Sequence, residues 1–147
     1  MRRIDEGELE VWRCFLRAHA TITRQLDSDL TCAHKLTLSQ YEVLLHLAGA
    51  PDHKVRMSEL AKRVLLTPSG VTRLVSALEE EGLVERTSCA ADARGAFARL
   101  TDAGRGRLEE ASGTHLKGVE DLYLRRFSKQ DLEKLADLLA SLPGASA

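Results

Sequence analysis

Ser69, Gly70, Thr72, Arg73 and Ser76 place small hydroxyl donors, a bare backbone amide and one guanidinium within about two helical turns of one another. That is a set for holding an anion. Arg73 is the one cation between Thr67 and Gly82, and the acids Glu79, Glu80 and Glu81 are held back to the far end of the stretch. The positive end of a helix dipole would therefore be left open to a phosphate. A second arginine, Arg94, falls in the loop Ala90–Gly95, two residues after Asp92. Arg86 and Arg99 flank that loop on either side, where they can hold it or reach an anion themselves.

Other chemistries find no support in the residue pattern. There is no Gly-x-Ser-x-Gly elbow, no Walker loop and no HExxH, so no enzymatic reaction is expected. His19, His34, His46, His53 and His115 never fall four apart, and Cys14, Cys32 and Cys89 contain no CxxC, so neither a metal nor another cofactor is expected. Cys14 lies between Arg13 and Arg17, cations of the kind that favour a thiolate, which leaves it either an inert core residue or a reactive thiol.

At 147 residues and 44% hydrophobic the chain has mass for one core, and no apolar run approaches the ~18 residues of a membrane span. A cytosolic protein follows as the expectation. The net charge of −1 argues against a polyanion as partner, but its distribution does not. Residues 56–107 hold nine Lys and Arg against seven Asp and Glu, so the flanks carry the negative surplus.

The elements that must position these residues follow from caps and periodicity. Thr67 is placed to cap a helix with Pro68 in its first turn, Val71, Leu74, Val75 and Leu78 form its apolar stripe, and Gly82 ends it. Before it, Ser58–Val64 reads as a short capped helix with Leu60, Ala61 and Val64 inward, joined through Leu65 and Leu66. After it, Leu83–Cys89 and Ala96–Thr101 read as an antiparallel hairpin. Val55 and Arg56 suggest a further short strand. A long helix over 8–34 carries a seam of Leu9, Trp12, Leu16, His19, Thr23, Leu26 and Leu30, widened by Phe15 and Ile22. Ser39–Glu42 has the form of a capping box for a helix from Gln40 to Ala48, with Tyr41, Leu44, Leu45 and Ala48 inward. A helix after Thr101 should run to Arg126 with Leu108, Ala111, His115, Val119 and Leu122 inward; its glycines 104, 106, 113 and 118 either mark close helix approaches or soften it. Ser128 caps a last helix with Leu132, Leu135, Leu139 and Leu142 on one face. The terminal helices have more to bury than a short module can cover, which predicts a partner subunit.

The order helix, helix, hairpin resembles the winged helix-turn-helix of the MarR family of bacterial transcriptional regulators. Asp92-x-Arg94 with Leu100-Thr101 is similar to the family's wing signature, and Thr101-Asp102-Ala103-Gly104 to the start of its next helix. The resemblance covers nearly the whole chain. It implies a mainly α fold with a small β-hairpin wing: one domain over 1–147, a DNA-binding module over 37–101, and dimerisation helices over 8–34 and 102–142. It further implies a ligand-responsive repressor that binds a palindromic double-stranded DNA operator as a homodimer, with no membrane association. On that reading Thr67, Ser69, Gly70, Thr72, Arg73 and Ser76 face DNA, Arg73 reads guanine, Ser69 and Thr72 bond phosphates, and Arg94 enters the minor groove. Asp92 holds the wing, while Arg86 and Arg99 support the loop or touch phosphates. Trp12, His19, Tyr41 and His46, with Tyr123, are the residues for a small aromatic anionic effector. Cys14 sits where the peroxide-sensing branch of the family keeps its thiol, so an oxidant sensor is one alternative. A winged module for protein interaction, without DNA, is the other.

Overall fold

Side-chain caps set the start of four helices in the computed structural model, which describes residues 3–64, 68–88 and 95–144. Helix α1 (Glu6–His34) begins two residues before the apolar seam suggests, because Asp5 and Glu8 close a reciprocal capping box, with Glu8 N–H to Asp5 Oδ1 at 2.9 Å and Asp5 N–H to Glu8 Oε2 at 3.0 Å. Helix α2 (Leu38–Ala48) also starts earlier than expected. Its box is Thr37 with Gln40 (2.9 and 3.2 Å), displacing the Ser39–Glu42 box, and Asp27 of α1 accepts from Leu38 N–H at 2.7 Å and fixes the earlier start. Leu36 and Tyr41, the staple positions for that start, are both buried. The inward face of α2 shifts with its surroundings: packed between α1 and the module, it buries Tyr41, Val43, Leu44 and Leu47, whereas Leu45 is 47% exposed.

Strand β1 (Lys54–Arg56) runs directly into α3 (Met57–Arg63), so the expected Ser58 cap is replaced by an uncapped start at Arg56; Leu60, Ala61 and Val64 are buried as expected. Helix α4 (Pro68–Glu80) buries Val71, Val75 and Leu78. Gly82, at φ +73°, donates to Glu79 O (2.9 Å), and Leu83 N–H donates to Leu78 O (2.9 Å), the two bonds of a Schellman close. Strands β2 (Val84–Ser88) and β3 (Ala96–Leu100) pair antiparallel, and β1 adds to the far side of β3, giving the order β1-β3-β2. The register sets Val55 opposite Ala98 and Val84 opposite Leu100, all four buried. Lys54, Arg56, Glu85, Thr87, Phe97 and Arg99 take the other face.

Helix α5 (Asp102–Leu122) ends before Arg126, in a short 3-10 turn over Leu124–Arg126, and α6 (Lys129–Ala140) is capped by Ser128, which accepts from Asp131 N–H at 3.2 Å. Two of the α5 glycines mark close approaches. A Cβ at Gly104 would stand 2.0 Å from Leu83 O, and one at Gly118 would stand 2.6 Å from Leu26 Cδ2. Gly106 and Gly113 meet nothing within 4 Å.

The core is continuous through the C-terminal end of α1, α2, α3, α4, the inner sheet face and the first half of α5. It stops there. Trp12 on α1 is 56% exposed, and Leu138 on α6 is 68% exposed; α6 has no fully buried residue.

Candidate nucleic-acid interface

Packing of Val71, Val75 and Leu78 inward turns Ser69, Thr72 and Arg73 outward, all three exposed, with Gly70 half-buried. Arg73 borders a shallow depression with Gly70, Leu74 and Ala77. Ser76 and Arg86 hold the helix in place. Arg86 donates to Thr72 O (3.3 Å) and to Ser76 Oγ, and its Nε lies 3.3 Å from Glu79 Oε2; Ser76 Oγ itself donates to Thr72 O at 2.8 Å. Charge-assisted bonds of this kind are stronger than neutral ones. Strand β2 is thus fastened to the middle of α4, and the negative charge of Glu79 is spent on the bracket. Arg99 pairs with Glu85 at 3.2 Å across the outer sheet face, both side chains about half exposed, so the pair is weakly stabilising. Thr67, Asp92 and Arg94 lie outside the described residues.

Lys54 was not singled out by sequence and Arg56 only as part of a short strand; the polar-apolar-polar alternation of Lys54-Val55-Arg56 carries both to one face. Both cations sit over the ring of Phe97, at 5.3 and 5.0 Å from its centroid.

The residues expected to meet an effector divide. Trp12 stacks on Phe15 at 6.0 Å and Phe15 lies 6.4 Å from His19, an aromatic ladder along α1. His19 and Phe15 border an open groove of about 520 Å³ between α1 and the C-terminal segment, faced by Tyr123, Phe127 and Leu139. Tyr41 is instead in the core, 4.5 Å from the His115 ring and donating to Ser112 Oγ at 3.4 Å. His46 is half-buried one turn from Glu42, whose carboxyl is pushed up by burial and drawn partly back by His46. Cys14 also borders the groove. Its Sγ lies 3.3 Å from the Arg17 guanidinium and 3.4 Å from Glu10 Oε1, and Arg17 already pairs with Glu10 at 2.5 Å. That pairing, then the thiol, holds the Glu10 carboxyl below its usual range. Among the described residues no three potential ligands gather to hold a metal ion, and no helix is long and apolar enough to cross a membrane.

A sequence profile of the MarR family matches residues 34–95, from the end of α1 into the wing. Sco3205, a MarR family transcriptional regulator from Streptomyces coelicolor solved in complex with DNA, is 31% identical, over 94% of this chain and 86% of that one, with a TM-score of 0.89. The chain belongs to the MarR family. AbsC, another MarR family transcriptional regulator from Streptomyces coelicolor, is 29% identical over 95% of this chain and 93% of its own, with a TM-score of 0.87. The HTH-type transcriptional repressor YetL of Bacillus subtilis (strain 168) is 25% identical over 95% of this chain and 82% of its own length.

In this MarR-family transcriptional regulator the far end of α4 is fastened to the helices on either side of the winged module. Thr101 Oγ1 accepts from Gly104 N–H (3.0 Å), capping α5, and donates to Gly82 O (2.7 Å), while Thr101 N–H donates to Leu83 O (3.2 Å). Arg107 donates to His34 O at the end of α1 (3.1 Å) and lies 3.9 Å from Glu81 at the end of α4. One threonine and one arginine therefore join α1, α4 and α5.

Proposed function

We propose that the regulator is a ligand-responsive repressor that binds a roughly palindromic operator as a homodimer. The observation that carries this reading is the contrast between a closed winged core, presenting Arg73, Ser69 and Thr72 on one open face, and terminal helices that leave Trp12, Phe15, Leu16 and Leu138 exposed. A second copy covers those residues by pairing the α1 and α6 faces, and a two-fold axis then sets two recognition helices against half-sites about one turn, ~34 Å, apart. The relatives support DNA binding and repression: Sco3205 was solved in complex with DNA, and YetL is a repressor. Arg73 donates to guanine O6 and N7, Ser69 and Thr72 bond phosphates, and Arg94 reaches the minor groove. The effector is a small aromatic anion that enters the groove beside Phe15 and His19, with Trp12 at its mouth.

Cys14 in the same groove favours a second reading, an oxidant sensor. The cation beside it is already committed to Glu10, which makes the ligand reading the better one. The test is operator binding by the wild type and Arg73→Ala on duplexes selected from a random pool. Loss of a bidentate base contact should cost about 1–3 kcal/mol and relax preference at one base position per half-site. An Arg73→Ala protein that binds with wild-type affinity and preference rules out this role for Arg73, and release by peroxide that vanishes in Cys14→Ser assigns control to the thiol.

A further inference from the structure

Arg73 divides the outward face of α4 into two unlike halves. Thr72 and Ser76 stand on the side toward β2, where Arg86 reaches Thr72 O and Ser76 Oγ and Ser76 donates to Thr72 O at 2.8 Å. On the other side Gly70, Leu74 and Ala77 follow at steps of four and three, so they line up along one edge of the helix and, with Arg73, border the shallow depression. All three are half-buried, and none has a side-chain hydrogen-bond donor or acceptor. Leu74 is held from beneath, packed against the core. The depression is therefore an apolar hollow on a polar face, and its one charged wall is the guanidinium already assigned to a base.

We propose that this hollow reads a thymine, whose C5 methyl group seats between Gly70, Leu74 and Ala77 at the base pair next to the guanine that Arg73 contacts. The inference rests on the DNA-binding function proposed above and adds a second base to the half-site. Three considerations select this occupant. The thymine methyl is the apolar group that a base pair presents in the major groove, so an apolar hollow on a helix lying there fits it and fits no donor or acceptor edge. Gly70 precedes Arg73 by about 4.5 Å along the helix axis and Ala77 follows it by about 6 Å, so the hollow reaches the neighbouring base pair, one step of about 3.4 Å away. Other occupants fit less well: the side chains of Gly70, Leu74 and Ala77 offer a phosphate no donor, and a protein partner needs about 800 Å² on each side, far more than four residues of one helix supply.

The experiment uses the full-length protein and the operator selected from the random pool. That operator should carry a thymine in a base pair adjoining the guanine whose preference relaxes in Arg73→Ala. Replacing this thymine by uracil removes the methyl group and leaves every hydrogen-bonding atom of the base in place. Burial of one methyl group corresponds to about fourfold in affinity, so uracil in both half-sites should weaken binding of the dimer about 16-fold. At the same position 5-methylcytosine should bind more tightly than cytosine by a similar factor. Ala77→Gln lays a polar side chain across the hollow and should bind the thymine and uracil duplexes alike, and thermal unfolding checks that the variant is folded. Equal affinity of wild type for the two duplexes overturns the proposal, as do an operator with no thymine beside that guanine, a thymine-to-uracil ratio that survives in folded Ala77→Gln, and an equal loss from uracil placed outside the half-sites. In each of these cases guanine reading by Arg73 still stands. Failure of wild type to bind any selected duplex would remove the DNA-binding function and this inference with it.

Discussion

Replacing Gly104 with alanine tests the tightness of the junction between the end of α4 and α5. In an open helix the change is favourable by about 1 kcal/mol, since glycine is the poorer helix former. Here the new Cβ would stand 2.0 Å from Leu83 O and 2.7 Å from Leu100 Cδ1. Ordinary carbon–oxygen contacts are about 3.3 Å, so α5 has to retreat by more than about 1 Å, against a carbonyl that belongs to the backbone and has no rotamer to change. Retreat breaks the bonds from Thr101 N–H to Leu83 O and from Thr101 Oγ1 to Gly82 O, about 1 kcal/mol each, and overpacking adds about 2 kcal/mol. Set against the propensity gain, the net loss is about 3 kcal/mol. Gly113→Ala is the counterpart: nothing lies within 4 Å, so it should stabilise by about 0.5–1 kcal/mol. Urea unfolding at one fixed protein concentration reads both. A Gly104→Ala midpoint at or above wild type, with an unchanged slope, would refute the packing argument.

Arg86→Met keeps the aliphatic stem but removes the bracket on Thr72, Ser76 and Glu79; operator affinity should fall while Arg73 stays in place, and stability should drop by about 1–2 kcal/mol in urea, so unchanged affinity would free Arg86 from this role. Burial holds the His115 imidazole below its usual 6.5, so the unfolded chain binds the proton more readily. Its contribution is fully present above the unfolded value and is lost as pH falls through the folded value, so wild type should lose more stability than His115→Gln between about pH 7 and 5. Glu42 works in the opposite sense: burial raises its carboxyl above 4.5, so its contribution is present below that value and is lost as pH rises through the folded one, and Glu42→Gln should remove that loss from a pH series of melting curves.

What could be read from sequence was what local chemistry decides. Val71, Val75 and Leu78 announced the buried face of α4, and Gly82 its left-handed close, because a 3.6-residue period and an αL glycine leave few alternatives. The start of α2 was misplaced because two capping boxes fit the sequence, and the tie-breaker, Asp27, comes from another helix eleven residues away. Leu45 was misread for the same reason, since neighbours on several sides decide which arc of α2 is buried. At the site, the outward placement of Ser69, Thr72 and Arg73 follows from periodicity alone, but the engagement of Arg86 with Thr72 and Ser76 depends on the β2–β3 register, which turns Arg86 to the inner edge beside Ala98. Tyr41 and His46 were grouped with Trp12 and His19 by residue type, and only the helix packing places Tyr41 against His115 instead.

That same packing suggests where an effector can act on DNA binding. The winged core is complete within one chain, whereas the apolar residues beside the groove, Trp12 and Phe15 on α1 and Leu142 beyond α6, are left in solvent. On the proposed reading, a ligand in the groove and a second copy of the chain would therefore meet the same helices. A change in the angle of α1 passes to the recognition helix through Arg107, which holds His34 O and faces Glu81, and a change in α5 passes through Thr101 to Gly82. Neither route asks the winged core itself to rearrange. The ligand can shift operator affinity only by its own preference between the two dimer geometries, typically about 1–3 kcal/mol, and operator DNA must weaken the ligand by the same factor. Conversion of Thr101 to valine would remove the hydroxyl that links Gly82 to the cap of α5 and should lower that factor without touching the groove; a coupling factor that survives Thr101→Val would route the signal through Arg107 alone.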